Sequence, residues 1–430
     1  MNIQKMKKLA CEAIDRNAAK ITEIAESIFA EPELGYKEVK TAAKVKAVFE
    51  ELGFPYEDHV ALTGVIGKAA GGQHNAKIAV MGELDAVVCP EHRMADPVTG
   101  AAHSCGHHAQ IASMLGVAYA LKESGILPEL GGDVALMAVP AEEGVELEYR
   151  NQLMQQGKIS YLGGKQEFVK LGVFDDIDAM IMQHTVVGDR SFAGGPGGMG
   201  FVAKIIQYHG KESHAAAPYE GINALDAAKI GLVACDAIRS TFKDEDGIRF
   251  HPIITKGGNL VNVVPAFVQI ETFVRGYSIE AIKDASFKID RALRAGADAV
   301  GATCEIYNLP GYLFSVKAPQ LKSLVQNNLT ELIGKDKITT GPGFTTDAND
   351  ISNLIPTVHA MIGGAAGVGH SSDYEVADKQ LAYITSAKML VMTVIDLLAN
   401  GAEKAMEIKN SFRASMTKEA YLALLEDLRA

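Results

Sequence analysis

Apolar segments of strand length alternate with amphipathic helical segments along most of this 430-residue chain. This alternation is typical of an α/β sheet with helices on both faces, because helices then connect successive strands. The strands predicted before residue 195 are 60–66, 77–81, 133–139 and 179–183. After residue 310 the pattern resumes with helix 320–333, strand 357–362 and helix 373–399.

A second block, residues 196–310, interrupts this pattern. Its predicted order is strand 201–209, helix 222–240, strand 267–275, helix 279–297 and strand 303–308, with a further strand near Ile253. That order resembles a ferredoxin-like α+β domain. We therefore predict a discontinuous α/β domain (residues 1–195 and 311–430) with a second domain inserted at 196–310.

The segment Gly195–Gly200 fits the dinucleotide-binding pattern GxGxxG. A genuine fingerprint follows a strand and opens a helix, whereas a predicted strand follows this one. We interpret the segment as a hinge between the two domains.

Charge and cysteine content exclude several classes of protein. The chain has 41 basic and 53 acidic side chains, a net charge of −12, which argues against a nucleic-acid partner. Five cysteines without a CxxC pair favour a reducing compartment, so we predict a cytoplasmic location. No apolar run reaches the roughly 18 residues of a membrane span, and the N-terminus lacks the apolar core of a signal peptide.

The segment 102–108 contains three histidines and Cys105 within six positions. Thiolate and imidazole are ligands that Zn²⁺ prefers. The strand before this segment ends near Glu83 and Asp85, and sites in open α/β sheets form at such strand ends. The alternative is a loop whose polar residues are incidental.

Glu142 and Glu143 directly follow an apolar strand. Two adjacent buried carboxylates need a counter-charge, which a divalent cation supplies. One could then bind metal while the other acts as general base toward a metal-activated water. The alternative is a solvated pair at the start of a helix.

Two further histidines lie at comparable positions. His184 ends an apolar strand, and His370 lies in a glycine-rich loop before a long helix. Together, the four segments predict one metal site at an edge of the sheet. In the inserted domain, His214 could stabilise an oxyanion and Arg275 could bind a carboxylate, although a turn histidine and a surface arginine are the alternatives.

The ordered motifs resemble the dinuclear-metal aminoacylase/carboxypeptidase superfamily. They are Gly-Glu-Leu-Asp-Ala, His-Ser-Cys-Gly-His, Pro-Ala-Glu-Glu-Gly, a strand-end His, His-Ala-Ala-x-Pro, Asn-Val-Val-Pro and a late Gly-His. The nearest resemblance is to the cysteine-bearing amidohydrolase branch, which includes hippurate, auxin–amino acid conjugate and aminobenzoyl-glutamate hydrolases. It covers residues from about 20 to 400 and implies a metallo-exopeptidase-like catalytic domain with a central mixed sheet. The inserted domain would be a ferredoxin-like lid that forms a homodimer.

The resemblance also implies roles for individual residues. Two divalent metal ions per subunit would be held by Cys105, His107, Glu143, His184 and His370, with Cys105 as the bridge. Zinc or manganese is expected, and cobalt or nickel would also suit the ligands.

The remaining roles concern the reaction and the substrate. Glu142 matches the general base and Asp85 the acid that orients a ligand. His214, Asn262 and Arg275 match lid residues that contact substrate, and the lid histidine often reaches the partner's site. Residues 346–352 match a family segment beside the site.

Three positions depart from the family pattern. Glu83 replaces an aspartate, His108 replaces an aspartate, and Gln110 replaces a histidine. An added imidazole next to the metals could act as a donor to a ligand or reshape the leaving-group side. These changes bear on the substrate more than on the reaction.

The predicted function is metal-dependent hydrolysis of the amide in an N-acyl amino acid or related small conjugate. Glu142 would move the proton from water to the leaving amine, and His214 would stabilise the oxyanion. Two alternatives remain: a cysteine hydrolase with Cys105 as nucleophile, and a non-catalytic metal-binding or regulatory protein on the same scaffold. Chelation discriminates, because a thiol enzyme survives loss of metal.

Overall fold

The structure is a computed structural model that describes residues 1–194 and 198–429. Residues 195–197, with which the predicted hinge begins, lie outside this range. The fourteen strands of the described residues are β1 Tyr56–Val60, β2 Gly64–Ala69, β3 Lys77–Glu83, β4 Val87–Val88, β5 Ala101–Ala102, β6 Asp133–Val139, β7 Ala179–Val187, β8 Gly200–His209, β9 Arg249–Phe250, β10 Ile253–Lys256, β11 Phe267–Gly276, β12 Thr303–Pro310, β13 Thr357–Ala366 and β14 Glu375–Val376.

Twelve α-helices lie in the described residues. They are α1 Ile3–Arg16, α2 Ala18–Phe29, α3 Val39–Leu52, α4 His107–Glu123, α5 Leu147–Gln155, α6 Gly164–Lys170, α7 Ala224–Ala237, α8 Ile279–Val300, α9 Pro319–Ile333, α10 Ala348–Ser352, α11 Ser386–Ser411 and α12 Lys418–Arg429. A π-helical turn, Gln380–Thr385, leads into α11.

The larger of two compact units comprises residues 1–145, 163–194 and 315–418. Its seven-stranded sheet has the order β1-β2-β6-β3-β7-β13-β14. Strands β6, β3, β7 and β13 run parallel, while β1, β2 and β14 pair antiparallel. The prediction of an α/β fold with a central mixed sheet is confirmed.

The four parallel strands bring the predicted site together. Because they share one direction, their carboxyl ends meet at the same edge of the sheet. Asp85 follows β3, Glu142 follows β6, His184 lies on β7 and His370 follows β13. Helix α4, which begins at His107, is buried around nearly its whole circumference, as expected for a helix in the interior of a large unit.

The smaller unit comprises residues 146–162, 198–314 and those from Glu419 onward. Its antiparallel sheet has the order β10-β11-β8-β12, and β9 pairs with the end of β11. Helices α7 and α8 pack on it around Tyr208, Val268 and Leu293. The strand predicted near Ile253 is β10, and the order of elements is that expected for a ferredoxin-like domain.

The two units differ from the predicted domains in two segments. Residues 146–162 group with the smaller unit because Leu147 and Leu162 pack against Phe201. The C-terminal helix α12 groups there because Leu428 contacts Val202. These contacts join segments that are far apart in the sequence, so the hydrophobic periodicity of each segment does not reveal them.

Two predicted elements are wrong in their boundaries. Residues 60–66 are not one strand, because Ala61 and Leu62 adopt left-handed φ values of 51° and 76° in the turn between β1 and β2. The helix predicted at 373–399 begins only at Gln380, since Glu375–Val376 pairs with β13. At the N-terminus, α1 and α2 are two helices that separate at Asn17.

By length and composition, one helix of the described residues, Gln380–Ser411, could cross a membrane. Its apolar window is 83% buried within the protein, as is common for the core helix of a globular protein. The cytoplasmic location stays a prediction.

Candidate metal centre and active site

The loop before α4 places Cys105 at the sheet edge. The conformation of this loop requires a glycine at position 106. Gly106 has a φ of 91°, and a Cβ atom there would lie 2.0 Å from Thr185 Oγ1 and 2.3 Å from the hydroxyl of Tyr374. Only glycine accommodates both the left-handed backbone and the close approach. The backbone N–H of His370 donates to Ser104 O at 2.8 Å, which fixes the late histidine beside the same loop.

The five predicted metal ligands form two triads that share Cys105. The ligand atoms of Cys105, His107 and His184 lie within 4.8 Å of one another, and Cys105 Sγ is 3.2 Å from His184 Nε2. The ligand atoms of Cys105, Glu143 and His370 also lie within 4.8 Å, and His370 Nε2 is 3.3 Å from Glu143 Oε1. This arrangement offers two adjacent sites with the cysteine sulfur common to both.

Two ligand atoms of these triads are available to bind a cation. His107 Nε2 and Glu143 Oε1 are buried and make no hydrogen bond of good geometry, although Glu83 Oε2 lies 3.1 Å from the nitrogen and His370 Nε2 lies 3.3 Å from the oxygen. Such orphan atoms are costly unless something else satisfies them. A soft sulfur, three imidazoles and a carboxylate form a donor set suited to divalent transition metals, so the residues fit a pair of such ions.

Asp85 contacts one proposed ligand from each triad, Glu143 and His107. It is fully buried, and its Oδ2 accepts a hydrogen bond from the backbone N–H of Glu143 at 2.8 Å. Its backbone oxygen lies 2.9 Å, and its Oδ1 3.3 Å, from His107 Nδ1. Contacts at Nδ1 leave Nε2 of His107 as the ligand atom and orient the ring.

Glu142, the predicted general base, and Glu143, a predicted metal ligand, have opposite electrostatic environments. Burial, together with the charges of Glu83 and Glu143, raises the pKa of Glu142 well above its ordinary value. Burial alone would raise the pKa of Glu143 as well, but its contact with His370 lowers it to about 2. Divergent pKa values in neighbouring carboxylates are typical of a division between proton transfer and charge binding.

Glu38 was missed by the sequence analysis. Its Oε1 accepts from the backbone N–H of Ala141, next to Glu142, at 2.8 Å, and its Oε2 accepts from Thr63 Oγ1 at 2.5 Å. Burial and the charge of Asp85 raise the pKa of Glu38 to about 8. A lone glutamate at the start of α3 has no sequence signal that would reveal this contact.

A second buried network centres on Lys165, which was also missed. Its ammonium group donates to Glu83 Oε1 at 2.6 Å and forms an ion pair with Asp347. Glu83 Oε2 lies 3.1 Å from His107 Nε2, and the ligand atoms of Glu83, His107 and Glu142 form a third group within 4.8 Å. Burial of the group outweighs the nearby cation and raises the pKa of Asp347 to about 6. Asp347 belongs to the predicted segment 346–352.

His108 is not among the clustered ligand atoms. Its ring packs 4.9 Å from that of Phe29, 5.5 Å from that of His103 and 6.0 Å from that of Tyr383, measured between centroids. Burial lowers its pKa to about 3, so the imidazole is neutral.

In the smaller unit the candidate residues separate into two places. His214 and Asn262 lie on paired loops, where Ala215 N donates to Asn262 O at 2.9 Å and both side chains are exposed. Arg275 lies near the far end of β11, with its guanidinium 5.2 Å from the ring centroid of Phe273. Eight residue steps of about 3.3 Å place Arg275 about 26 Å along the strand from Phe267, which follows the Asn262 loop.

Comparison with known proteins identifies the family. Residues 79–394 match the model described as peptidase family M20/M25/M40. The chain belongs to this family. The M20 assignment confirms the amidohydrolase resemblance and a metal-dependent hydrolase acting on C–N bonds, here amides.

Relatives of this M20 protein span nearly its whole length. The Xaa-Arg dipeptidase of Mus musculus is 26% identical over 449 residues, covering 98% of this chain and 95% of the relative. The IAA-amino acid hydrolase ILR1-like 4 of Arabidopsis thaliana is 28% identical over 408 residues, covering 89% of this chain and 87% of the relative. Both are about equally distant in sequence, so neither fixes the substrate.

Among solved structures, the aminobenzoyl-glutamate utilization protein of Klebsiella pneumoniae has a TM-score of 0.68 at 18% identity. It covers 90% of this chain and 98% of its own. A dinuclear metal-binding M20 peptidase of Bacillus subtilis has a TM-score of 0.61 at 21% identity, covering 88% and 98%. These similarities show that the fold is shared.

Proposed function

We propose that this protein hydrolyses the amide of an N-acyl amino acid or a related small conjugate, with Glu142 as general base. Two divalent ions, zinc or manganese with cobalt or nickel as further options, would be held by the two triads that share Cys105. When bound, such ions lower the pKa of water and polarise a carbonyl. The observation that carries the proposal is the pairing of these triads beside Glu142 at one sheet edge.

Glu142 is suited to carry a proton between two steps. Burial and the charges of Glu83 and Glu143 raise its pKa, so its carboxylate is a stronger base than an ordinary carboxylate and accepts a proton from water more readily. In the proposed cycle, its carboxylate takes the proton of the attacking water and delivers it to the leaving amine. Glu143, with its low pKa, stays ionised and binds a cation.

The names of the relatives support a small substrate with an amide bond. They include an Xaa-Arg dipeptidase, an IAA-amino acid hydrolase and an N-acetyl-L-cysteine deacetylase. Each name describes cleavage between an amino acid and an acyl or aminoacyl group. We extend only this shared chemistry to the present chain.

We further propose that His214 stabilises the oxyanion, that Asn262 and Arg275 bind substrate, and that the protein is a homodimer through its lid. Arg275 and the paired loops of His214 and Asn262 lie near opposite ends of one sheet. One small substrate could contact all three residues if one chain contributed Arg275 and the other contributed the loops of His214 and Asn262. This separation supports a dimer in which the site is shared.

The cysteine-hydrolase alternative is less well supported. Burial and the charge of Glu143 raise the pKa of the Cys105 thiol well above its ordinary value, whereas a nucleophilic cysteine needs a lowered pKa. It also leaves the second triad without a role.

The test is a panel of N-acyl amino acids and dipeptides, assayed after reconstitution of the full chain with each metal. We expect hydrolysis that chelation abolishes and metal restores. Glu142→Gln should retain two metal ions per chain and lose most turnover, while the exposed control Glu91→Gln should not change. Activity that survives chelation would support the cysteine hydrolase, and metal binding without any hydrolysis would support the non-catalytic alternative.

A further inference from the structure

A cavity of about 310 Å³ lies within the larger unit, and Thr346, Ala348, Asn349 and Ser352 of the predicted segment 346–352 line part of it, whereas the proposed metal ligands and Glu142 do not. Its volume is in the range of small-molecule sites. The cavity is formed by the start of α9, the loop before α10 and strand β13.

His359 places this cavity next to the candidate metal centre. It lies on β13, which pairs with β7, and its ring centroid is 5.8 Å from that of the proposed ligand His184. A group bound in the cavity against His359 would therefore be a near neighbour of the reacting amide.

The imidazole of His359 has two nitrogen atoms that can hydrogen-bond to a ligand. Both of its ring nitrogens are buried, and neither has a hydrogen-bond partner among the described residues. Every protonation state of an imidazole carries at least one N–H donor. A buried donor without a partner is costly, so a ligand that accepts a hydrogen bond here would be stabilised.

The charges that line the cavity have one sign. Lys317 and Lys322 are its charged side chains, and no carboxylate is found among the described lining residues. Lys322 Nζ donates to Gly194 O at 2.7 Å, which uses one of its three donors. Lys317 has no ion pair or hydrogen bond within the described part of the chain. Two cations without a counter-ion favour an anionic occupant.

The remaining walls are largely apolar. Val316, Pro319, Phe344 and Met361 line the space around the polar groups. An occupant that matches this lining has a short apolar segment and a terminal anion. A carboxylate fits better than an ammonium group, because an ammonium cannot accept from His359 and would be repelled by both lysines.

We propose that this cavity is a specificity subsite for a carboxylate carried by the substrate in addition to the group at the scissile amide. The inference rests on the proposed amide hydrolysis and deepens it by naming the substrate class. The carboxylate would belong either to a dicarboxylic acyl group or to an acidic amino acid side chain. Lys317 and Lys322 would attract it, and His359 would donate to it.

The experiment compares matched substrates on the metal-reconstituted full chain. One arm pairs N-glutaryl-alanine with N-pentanoyl-alanine, and the other pairs N-acetyl-glutamate with N-acetyl-glutamine. We expect the acidic member of one pair to have the higher kcat/KM, which also identifies the source of the carboxylate. Lys317→Glu should reduce that preference by about tenfold, because it replaces one attraction of ordinary surface-pair size with a repulsion.

The exposed Lys335, outside the cavity, provides the matched control. Lys335→Glu makes the same change in net charge, and it should leave both the preference and the turnover of the neutral substrates within about twofold of wild type. Lys322→Met should weaken the preference less than Lys317→Glu, since it removes a charge without reversing it.

Two failures are distinguishable. If neutral amides are hydrolysed but neither acid is preferred, or Lys317→Glu leaves the preference intact, the subsite is wrong and the proposed function stands. If no amide is hydrolysed, the proposed function is wrong, and calorimetric titration with glutarate then tests the cavity directly. Glutarate binding that Lys317→Glu weakens and Lys335→Glu does not would sustain an anion subsite; absent binding would overturn it.

Discussion

Gln110 donates a hydrogen bond from Nε2 to Oε2 of Glu83 at 2.6 Å, and its Oε1 accepts from the backbone N–H of Glu83 at 3.3 Å. Both residues occupy positions at which the sequence departs from the motif pattern of the amidohydrolase branch. The longer carboxylate at 83 and the amide at 110 are in direct contact, so the two departures form one structural change. The same carboxylate faces His107 Nε2, which connects the pair to the metal centre.

This coupling predicts non-additive effects on catalysis. Glu83→Asp shortens the carboxylate and weakens its contacts with Gln110 and Lys165, so kcat/KM should fall by about 10- to 100-fold, as for other partners of metal ligands. Gln110→His alone should also be harmful, because the imidazole meets a carboxylate of the wrong length. The double variant, which restores the branch pattern, should recover part of the loss in a double-mutant cycle. Additive losses would show that the two positions act independently.

Replacing Lys165 should strongly reduce the stability of the protein. It is fully buried and lies between the carboxylates of Glu83 and Asp347, so Lys165→Met would leave two buried anions without their counter-charge. We expect the free energy of unfolding to fall by about 3–5 kcal/mol. Urea unfolding measures this value.

The matched control is Lys46→Met, because Lys46 pairs with Asp58 at the surface. That variant should cost about 0–1 kcal/mol. Equal effects of the two substitutions would contradict the assignment of a buried charge network.

The residues of the candidate metal centre could be predicted from sequence because they occur in short motifs, most of them near the ends of apolar strands. Glu143 lies just beyond β6 and His184 lies near the end of β7, and parallel strands place those ends together, while Cys105 is found by its neighbouring histidines in the loop before α4. Glu38 and Lys165 could not be predicted, since each comes from a helix with an ordinary pattern and acquires its role only through packing. The boundary of the smaller unit was missed for the same reason.

Glu38 predicts a specific pH dependence of stability. Because its pKa is raised to about 8, the folded chain retains a proton that the unfolded chain releases near the ordinary value of about 4.3. The contribution of Glu38 to stability is therefore fully present below that ordinary value and is lost as the pH rises through about 8. Glu38→Gln keeps the shape and cannot ionise, so its stability relative to wild type should increase between pH 5 and pH 8.

Urea unfolding of wild type and Glu38→Gln at several pH values measures this difference. The exposed Glu23→Gln is a control for the loss of one carboxylate. A difference between Glu38→Gln and wild type that does not change with pH would show that Glu38 does not hold a proton in the fold.

Asp85 predicts a change in metal affinity. Its Oδ2 accepts from the backbone of Glu143, and its Oδ1 lies near Nδ1 of His107, so one carboxylate supports a ligand from each triad. Asp85→Asn retains the backbone oxygen that faces His107 but replaces one acceptor with an amide donor. We expect metal affinity to fall by about 10- to 100-fold, the usual loss when a partner of a metal ligand is changed. Competition with a chromophoric chelator measures the affinity, and Asp96→Asn on the exposed loop before the cysteine motif provides a control. An unchanged affinity in Asp85→Asn would mean that the ligands are held in place without this carboxylate, and the orienting role would then be wrong.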